Sequence, residues 1–170
     1  CHPAEIHHEA SETTENIINE IFPCLPEHFR IIRPKALINT YSIMEITDIG
    51  IVYASTTGLE MAMRGIPVVC GISNQHYNKK GFTFDPETPE NYYIKIDEIL
   101  QEPFKYRLSE RAIELAWCYA DIYFNQWPLS FPWHVTTLEK GLKEWPISRM
   151  LTSEGEHKFG EVFRVLSQTD

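Results

Sequence analysis

Short apolar runs alternate with amphipathic segments between residues 29 and 71. The runs at 29–32, 50–54 and 67–71 are rich in β-branched and aromatic side chains, which predicts three short strands. A Ser-x-x-Glu pattern from Ser42 predicts the start of a short helix, and Thr-x-x-Glu from Thr57 predicts a helix that Gly65 ends. This alternation is typical of the α/β class, with a Rossmann-like parallel sheet and helical crossovers.

Flanking segments carry the helical period. Residues 9–22 predict a helix with one buried face, and Thr88-Pro89 predicts the cap and first position of another. Residues 102–126 predict one long helix, whose buried stripe is Ala112, Leu115, Ala116, Tyr119 and Tyr123. We therefore expect a Rossmann-like domain over 1–126 and a helical, Pro- and Trp-rich tail over 127–170, with a loose last stretch of about twenty residues.

Composition narrows the functional classes. The 170 residues hold 15 basic and 24 acidic side chains, a net charge of −9, which disfavours general nucleic-acid binding but leaves room for one small phosphorylated ligand. The four cysteines are scattered and have no histidine at zinc-ligand spacing, so we expect no metal site and a reducing cytoplasm, with Cys70 and Cys118 as small buried apolar residues. No apolar run is long enough to predict a membrane span.

The segment with the strongest chemistry is Ser55-Thr56-Thr57-Gly58-Leu59-Glu60. Three hydroxyls lie between a predicted strand and a predicted helix start, where free N–H groups and the helix dipole favour an anion. Gly58 would leave room for a phosphate or ribose, and Glu60 could accept hydrogen bonds from sugar hydroxyls. The alternative is a plain helix cap by Thr57 and Glu60, which accounts for two of these residues but not for three consecutive hydroxyls.

Two further segments predict ligand contacts near the same sheet edge. His2, followed by Pro3 and Glu5, could donate to a phosphate and offset the charge of a leaving nucleotide. His76, Tyr77 and Lys80 lie in a loop after the third strand, where they could hold a sugar or an acceptor, although a solvated basic loop accounts for them equally well.

The loop over residues 33–41 could contact a base or ribose through Asn39, whereas Ser42 is better explained as a helix cap. The chain contains no GxGxxG, GxxxxGK[ST] or GxSxG pattern, which disfavours dinucleotide dehydrogenases, P-loop NTPases and α/β hydrolases.

Taken in order, residues 2–5 (HPAE), 39–69 and 76–86 (HYNKKGFTFDP) resemble the C-terminal part of capsule polysaccharide biosynthesis proteins, a group that includes bacterial Kdo transferases and is similar in its motifs to sialyltransferases. The resemblance covers roughly residues 1–130. It implies the donor-binding domain of a GT-B glycosyltransferase, which holds a nucleotide-sugar, with CMP-Kdo or a similar CMP-sugar as the leading donor.

The resemblance also implies roles and partners. His2 and Pro3 match a His-Pro motif, and Ser55 and Thr56 a Ser-Ser/Thr motif, that meet the donor phosphate; His2 would be catalytic. No metal or other cofactor is implied, and the acceptor would be a saccharide or a lipid-linked saccharide. The chain opens on Cys1 without Met, so we expect a fragment that lacks an N-terminal domain and is inactive alone, located in the cytoplasm or peripherally at the inner membrane face.

Two alternatives remain open from the sequence. A UDP-sugar epimerase of the same fold would hold UDP at a similar helix start. A non-catalytic module of a polysaccharide assembly complex would instead use exposed Trp127, Trp133 and Trp145 as an apolar docking patch.

Overall fold

A computed structural model describes residues 13–53, 55–71, 76–134 and 137–168. Its contacts divide the chain into two compact units, Cys1–Asp48 and Ile49–Asp170. The predicted boundary at residue 126 stays a prediction. His2, Pro3 and Glu5 lie outside the described residues.

The described part of the first unit contains two helices, α1 (Thr14–Ile21) and α2 (Thr40–Met44). The predicted helix at α1 is confirmed, and the Thr13 side chain caps it by accepting from the Asn16 N–H at 3.3 Å. The prediction that Ser42 caps α2 is wrong. The side chain of Asn39 accepts from the Tyr41 N–H at 2.8 Å, so the helix begins before Ser42.

The strand predicted over residues 29–32 is also wrong, because these residues adopt irregular backbone. Turn hydrogen bonds take up the neighbouring backbone groups: Phe29 donates to the Pro26 carbonyl and Ala36 to the Arg33 carbonyl, each at 2.9 Å. A strand also needs a partner for its ladder, and the described residues of this unit contain none.

The second unit is built around a small parallel sheet. Strands β1 (Gly50–Val52) and β2 (Val68–Cys70) pair in parallel, with Gly50 opposite Val68 and Val52 opposite Cys70. On the far side of β2, Phe84 adds a single parallel bridge to Val69. The described part of the chain is therefore α/β and mostly helical, with a two-stranded parallel sheet.

Helix α3 (Thr57–Ala62) connects the strands, as the sequence predicts. Turn residues follow the helix up to Gly65. The φ of Gly65, 76°, lies in the left-handed region that glycine adopts without strain. Among the buried side chains of this unit are those of Leu59 in α3, Ile66 in the turn after it, Val68 and Val69 in β2, and Ile99 and Ala116 in the helices that follow.

Helix α4 (Pro89–Gln101) begins as predicted, with Thr88 accepting from the Asn91 N–H at 3.2 Å. The single helix predicted over 102–126 is wrong. A 3-10 turn at Pro103–Tyr106 comes first, and Ser109 then caps a separate helix, α5 (Glu110–Asp121). A π-helical turn, Ile122–Gln126, continues it.

The buried stripe of α5 is confirmed: Ala112 and Ala116 are buried, and its other predicted members are half-buried. The prediction for Cys118 is wrong, because this residue lies on the exposed side of the helix, whereas Cys70 is buried in β2.

The loose tail predicted at the C-terminus is wrong, because helices α6 (Leu138–Glu144), α7 (Ile147–Met150) and α8 (Ser153–Ser167) follow one another. Trp145, Met150 and Phe159 form a buried cluster, against which Phe131, Trp133 and Phe163 pack. This cluster gives the amphipathic α8 an apolar surface to cover.

The three tryptophans do not form the exposed patch considered for a docking module. Trp145 is only 8% exposed, and the half-buried Trp133 donates from its ring N–H to the Trp145 carbonyl at 2.7 Å. Trp127 alone of the three is open to solvent. Among the described helices, none has the length and apolar character needed to cross a membrane.

Candidate functional site

A cleft of about 500 Å³ opens at the carboxyl ends of the two strands. Tyr53 directly follows β1 and Gly71 directly follows β2, so the cleft lies at the edge where open α/β sheets bind ligands. The first turn of α4 closes the other side. The residues that line this tyrosine cleft are Ile51, Val52, Tyr53, Gly71, Pro89, Tyr92 and Tyr93.

The tyrosine cleft is aromatic, and none of the described residues that line it is charged. The rings of Tyr92 and Tyr93 meet edge to face, with centroids 5.5 Å apart. Burial, with smaller contributions from Tyr93 and Cys70, raises the pKa of Tyr92, so its hydroxyl stays protonated at neutral pH. Flat, neutral walls of this kind suit a planar ring such as a nucleobase.

Gly71 links the ends of the two strands at the tyrosine cleft. Its N–H donates to the Val52 carbonyl at 2.6 Å, which extends the ladder between the strands by one bond. A methyl group on Gly71 would lie 3.0 Å from the Tyr53 ring and 3.4 Å from its backbone. The absence of a side chain at Gly71 therefore lets the Tyr53 ring pack against the end of β2.

The hydroxyl-rich turn begins two residues after Tyr53. The Ser55 hydroxyl donates to the Thr57 hydroxyl at 2.9 Å and accepts from the Thr57 N–H at 3.2 Å. The predicted capping box of Thr57 and Glu60 is wrong: the cap position is Thr56, and its side chain makes no capping hydrogen bond. Ser55 and Thr56 are exposed, so their side chains are open to a ligand.

Gly58 and Tyr77 meet beneath this turn. Tyr77 is fully buried and its hydroxyl donates to the Ser55 carbonyl at 2.6 Å. A side chain on Gly58 would collide with that hydroxyl and come within 2.9 Å of Val52 Cγ2. In the structure Gly58 thus makes room for Tyr77, and Tyr77 fixes the turn from inside. Burial raises the pKa of Tyr77 above its usual range.

His76 is held by two tyrosines of the α5 end. Its ring stacks on Tyr123 with centroids 3.9 Å apart and planes 6° from parallel. The Tyr119 hydroxyl donates to the His76 carbonyl at 2.7 Å, so its oxygen is the acceptor for the Nδ1–H group 3.1 Å away. This arrangement leaves the lone pair on Nε2. Burial lowers the pKa of His76, which favours the neutral ring.

The loop after His76 is organised by an acidic side chain. Asp85 accepts from the Lys79 N–H at 2.9 Å and from the Thr83 hydroxyl at 3.0 Å, and Lys79 forms an ion pair with Glu87. Gly81 has a φ of 90°, in the left-handed region that glycine adopts without strain. Lys80 is exposed on this loop.

The predicted site residues therefore fall into separate groups. Ser55, Thr56, Thr57, Gly58 and Glu60 share the turn and first part of α3, and Tyr77 contacts that turn. Asn39 and Ser42 belong to the first unit. Among the described residues, no group of His, Cys, Asp and Glu could hold a metal ion.

Sequence reasoning missed the three tyrosines of the cleft. Tyr53, Tyr92 and Tyr93 come from two segments about forty residues apart, and only the fold brings them together. The available signal was their position, because one follows a strand and two follow the Thr88-Pro89 helix start.

Comparison of the chain with protein-family models, with curated proteins and with solved structures found no match.

Proposed function

We propose that this chain is the nucleotide-sugar-binding part of a GT-B glycosyltransferase for capsule or other surface polysaccharides. The observation that carries the proposal is the tyrosine cleft at the carboxyl edge of a parallel sheet, beside the turn at Ser55 and Thr56. The ordered motifs of residues 2–5, 39–69 and 76–86 point to the same class of enzyme. In this proposal the two strands belong to a Rossmann-like donor domain.

In this proposal the tyrosines and the hydroxyls bind different parts of the donor. Tyr53, Tyr92 and Tyr93 hold the base and ribose by stacking and edge contacts. The exposed Thr56 hydroxyl donates to the phosphate, and the Ser55 hydroxyl does so by turning away from Thr57, with His2 stabilising the leaving nucleotide as the resemblance implies. Glu60 accepts from sugar hydroxyls, and His76 and Lys80 serve the sugar or the acceptor.

The charge of the cleft favours CMP over a nucleoside diphosphate as the donor's leaving group. None of the residues that line the tyrosine cleft is basic, and the adjoining turn offers hydroxyls rather than cations. A diphosphate concentrates more negative charge and usually needs a cation beside it, whereas one phosphodiester can be held by neutral donors. A UDP-sugar enzyme is the alternative that the experiment separates.

The proposal is tested by calorimetric titration of CMP, UDP and cytidine into the full chain, the Ser55→Ala/Thr56→Ala double variant and a Ser130→Ala control, a serine exposed outside the turn. We expect CMP to bind more tightly than UDP. A hydrogen bond to a charged group contributes about 1.5–3 kcal/mol, so the double variant should bind CMP at least about tenfold more weakly. Cytidine lacks the phosphate and should bind the unaltered chain and the double variant equally. No saturable binding of CMP to the unaltered chain, or equal binding by the double variant, contradicts the proposal.

A further inference from the structure

A second cavity, of about 840 Å³, lies within the first unit. Its volume falls in the range of about 300–1,000 Å³ that small-molecule sites occupy. It is formed by the segment between the helices together with α2, and Glu15 of α1 also lines it. It shares no residue with the tyrosine cleft.

Much of the lining of this cavity is aliphatic. Five of the lining residues are isoleucines, and among the described residues no other large apolar side chain contributes; they are Ile31, Ile32, Ile38, Ile43 and Ile46. Three of these side chains, those of Ile32, Ile38 and Ile46, are exposed in the structure as it stands. Aliphatic side chains gain free energy when an apolar group removes them from water, and flexible hydrocarbon matches such walls better than a planar ring does.

The charged lining of the same cavity is mainly basic, in a protein of net charge −9. Arg30, Arg33 and Lys35 line it, and Glu15 is the one carboxylate among the described lining residues. Glu15 is engaged by both Nε and Nη2 of Arg33, at 2.9 and 2.7 Å, and this pair lowers the pKa of the carboxyl. Arg33 therefore neutralises Glu15, and two further cations remain in the lining.

Those two cations keep their charge available to a ligand. Arg30 donates to the backbone carbonyls of Phe29, at 2.8 Å, and Glu27, so it is held in place without a carboxylate partner in these contacts. Lys35 is exposed and makes no ion pair with any described residue. Their charges complement the anionic headgroup of a ligand whose apolar part contacts the isoleucines of the same cavity.

We propose that the first unit binds a free single-chain anionic amphiphile, with its hydrocarbon chain against the five isoleucines and its carboxylate or phosphate paired with Arg30 and Lys35. The juxtaposition of five aliphatic side chains with two available cations fits this ligand class and disfavours both a nucleotide, which needs flat walls, and a neutral lipid, which needs no cation. The inference does not depend on the nucleotide site, because the two cavities lie in different units.

The test is calorimetric titration of the full chain with octanoate, decanoate and 1-decanol, each below the concentration at which it aggregates. We expect saturable one-to-one binding of decanoate. Each methylene that becomes fully buried strengthens binding by about fourfold, so decanoate, with two more methylenes, should bind about fifteenfold more tightly than octanoate. 1-Decanol has as many carbons as decanoate but no charge. It should therefore bind more weakly than decanoate, and added salt should narrow that difference.

Two variants with matched controls locate the site. Lys35→Glu reverses an available charge of the lining, and Ile46→Asp places a charge among the isoleucines at a side chain that is 83% exposed, so neither should disturb folding. Lys140→Glu and Ile147→Asp make the same changes at exposed positions of the second unit. We expect each first-unit variant to weaken decanoate binding by at least about fivefold, while both controls bind as the unaltered chain does. Circular dichroism verifies that all four variants are folded.

Several outcomes overturn the inference. They are absence of saturable decanoate binding, equal affinities for octanoate and decanoate, and equal weakening by a control variant. Two other occupants would also replace it. Binding to phosphatidylglycerol vesicles without binding to free decanoate would indicate a membrane surface, and a dimer in light scattering that Ile46→Asp abolishes, without decanoate binding, would indicate a second copy of the chain.

Discussion

Gly58 and the Tyr77 hydroxyl compete for one small volume at the start of α3. We expect Gly58→Ala to lower the free energy of unfolding by about 1–3 kcal/mol, because the added methyl group overpacks against Tyr77 and Val52. That cost should exceed the helix preference for alanine, which is worth at most about 1 kcal/mol. Urea unfolding monitored by circular dichroism measures it.

The control for that prediction is a double-variant cycle with Tyr77→Phe. This change alone should cost about 1 kcal/mol, since it removes the hydrogen bond to the Ser55 carbonyl. In the Tyr77→Phe background, Gly58→Ala should cost less, because the oxygen it meets is gone. Strictly additive effects would mean that the two residues do not compete for this space.

His76 gives the fold a pH dependence of known sign. Burial lowers its pKa in the folded state below the value of about 6.5 expected in the unfolded chain. Below pH 6.5 the unfolded chain therefore takes up a proton more readily, and stability is lost as the pH falls from about 6.5 through the folded-state pKa. Above that window the contribution is fully present.

We expect the urea midpoint of the unaltered chain to fall between pH 8 and pH 5.5, and the fall to be smaller in His76→Gln. His157→Gln, at an exposed position on α8, is the matched control and should keep the full fall. An unchanged pH dependence in His76→Gln would show that His76 does not contribute to it.

At the scale of elements, the helix α8 depends on one buried ring. Phe159 packs edge to face against Trp145, with ring centroids 4.9 Å apart, and contacts Phe131 in the same way. We expect Phe159→Ala to cost about 3–5 kcal/mol, because it leaves a cavity in the cluster. Val165→Ala, at an exposed position of the same helix, should cost about 0.5 kcal/mol or less. Comparable losses in thermal unfolding would mean that α8 does not rest on this cluster.

Local signals predicted some elements and missed others for a physical reason. Thr88 and Pro89 satisfy the first turn of α4 within the segment itself, and Gly65 ends its helix through its own φ, so both were visible in the sequence. Helix α8 gains its stability from distant aromatic side chains, which no local pattern displays. The run at 29–32 has strand-forming residues. Its backbone would need a neighbouring strand to pair with, and the described residues of the first unit provide none.

At the scale of the whole molecule, the sequence predicted the sheet edge at which the cleft opens but not the surface that forms there. Parallel strands at β1 and β2 followed from their apolar runs, and these place Ser55 and Gly71 at one edge. The cleft itself depends on Tyr92 and Tyr93 of α4 facing Tyr53 across that edge. Such convergence of remote segments is a property of the fold, and sequence reasoning assigned no role to these rings.

The central claim is that the tyrosine cleft binds the nucleotide, and a calorimetric titration of CMP into the Tyr93→Ala variant tests it most directly. Phe104→Ala is the matched control, since both rings are largely exposed and Phe104 does not line the cleft. Stacking on a base contributes about 1–3 kcal/mol, so Tyr93→Ala should weaken CMP binding at least about fivefold, while Phe104→Ala leaves it unchanged. Equal CMP affinity in Tyr93→Ala and the unaltered chain would contradict the account.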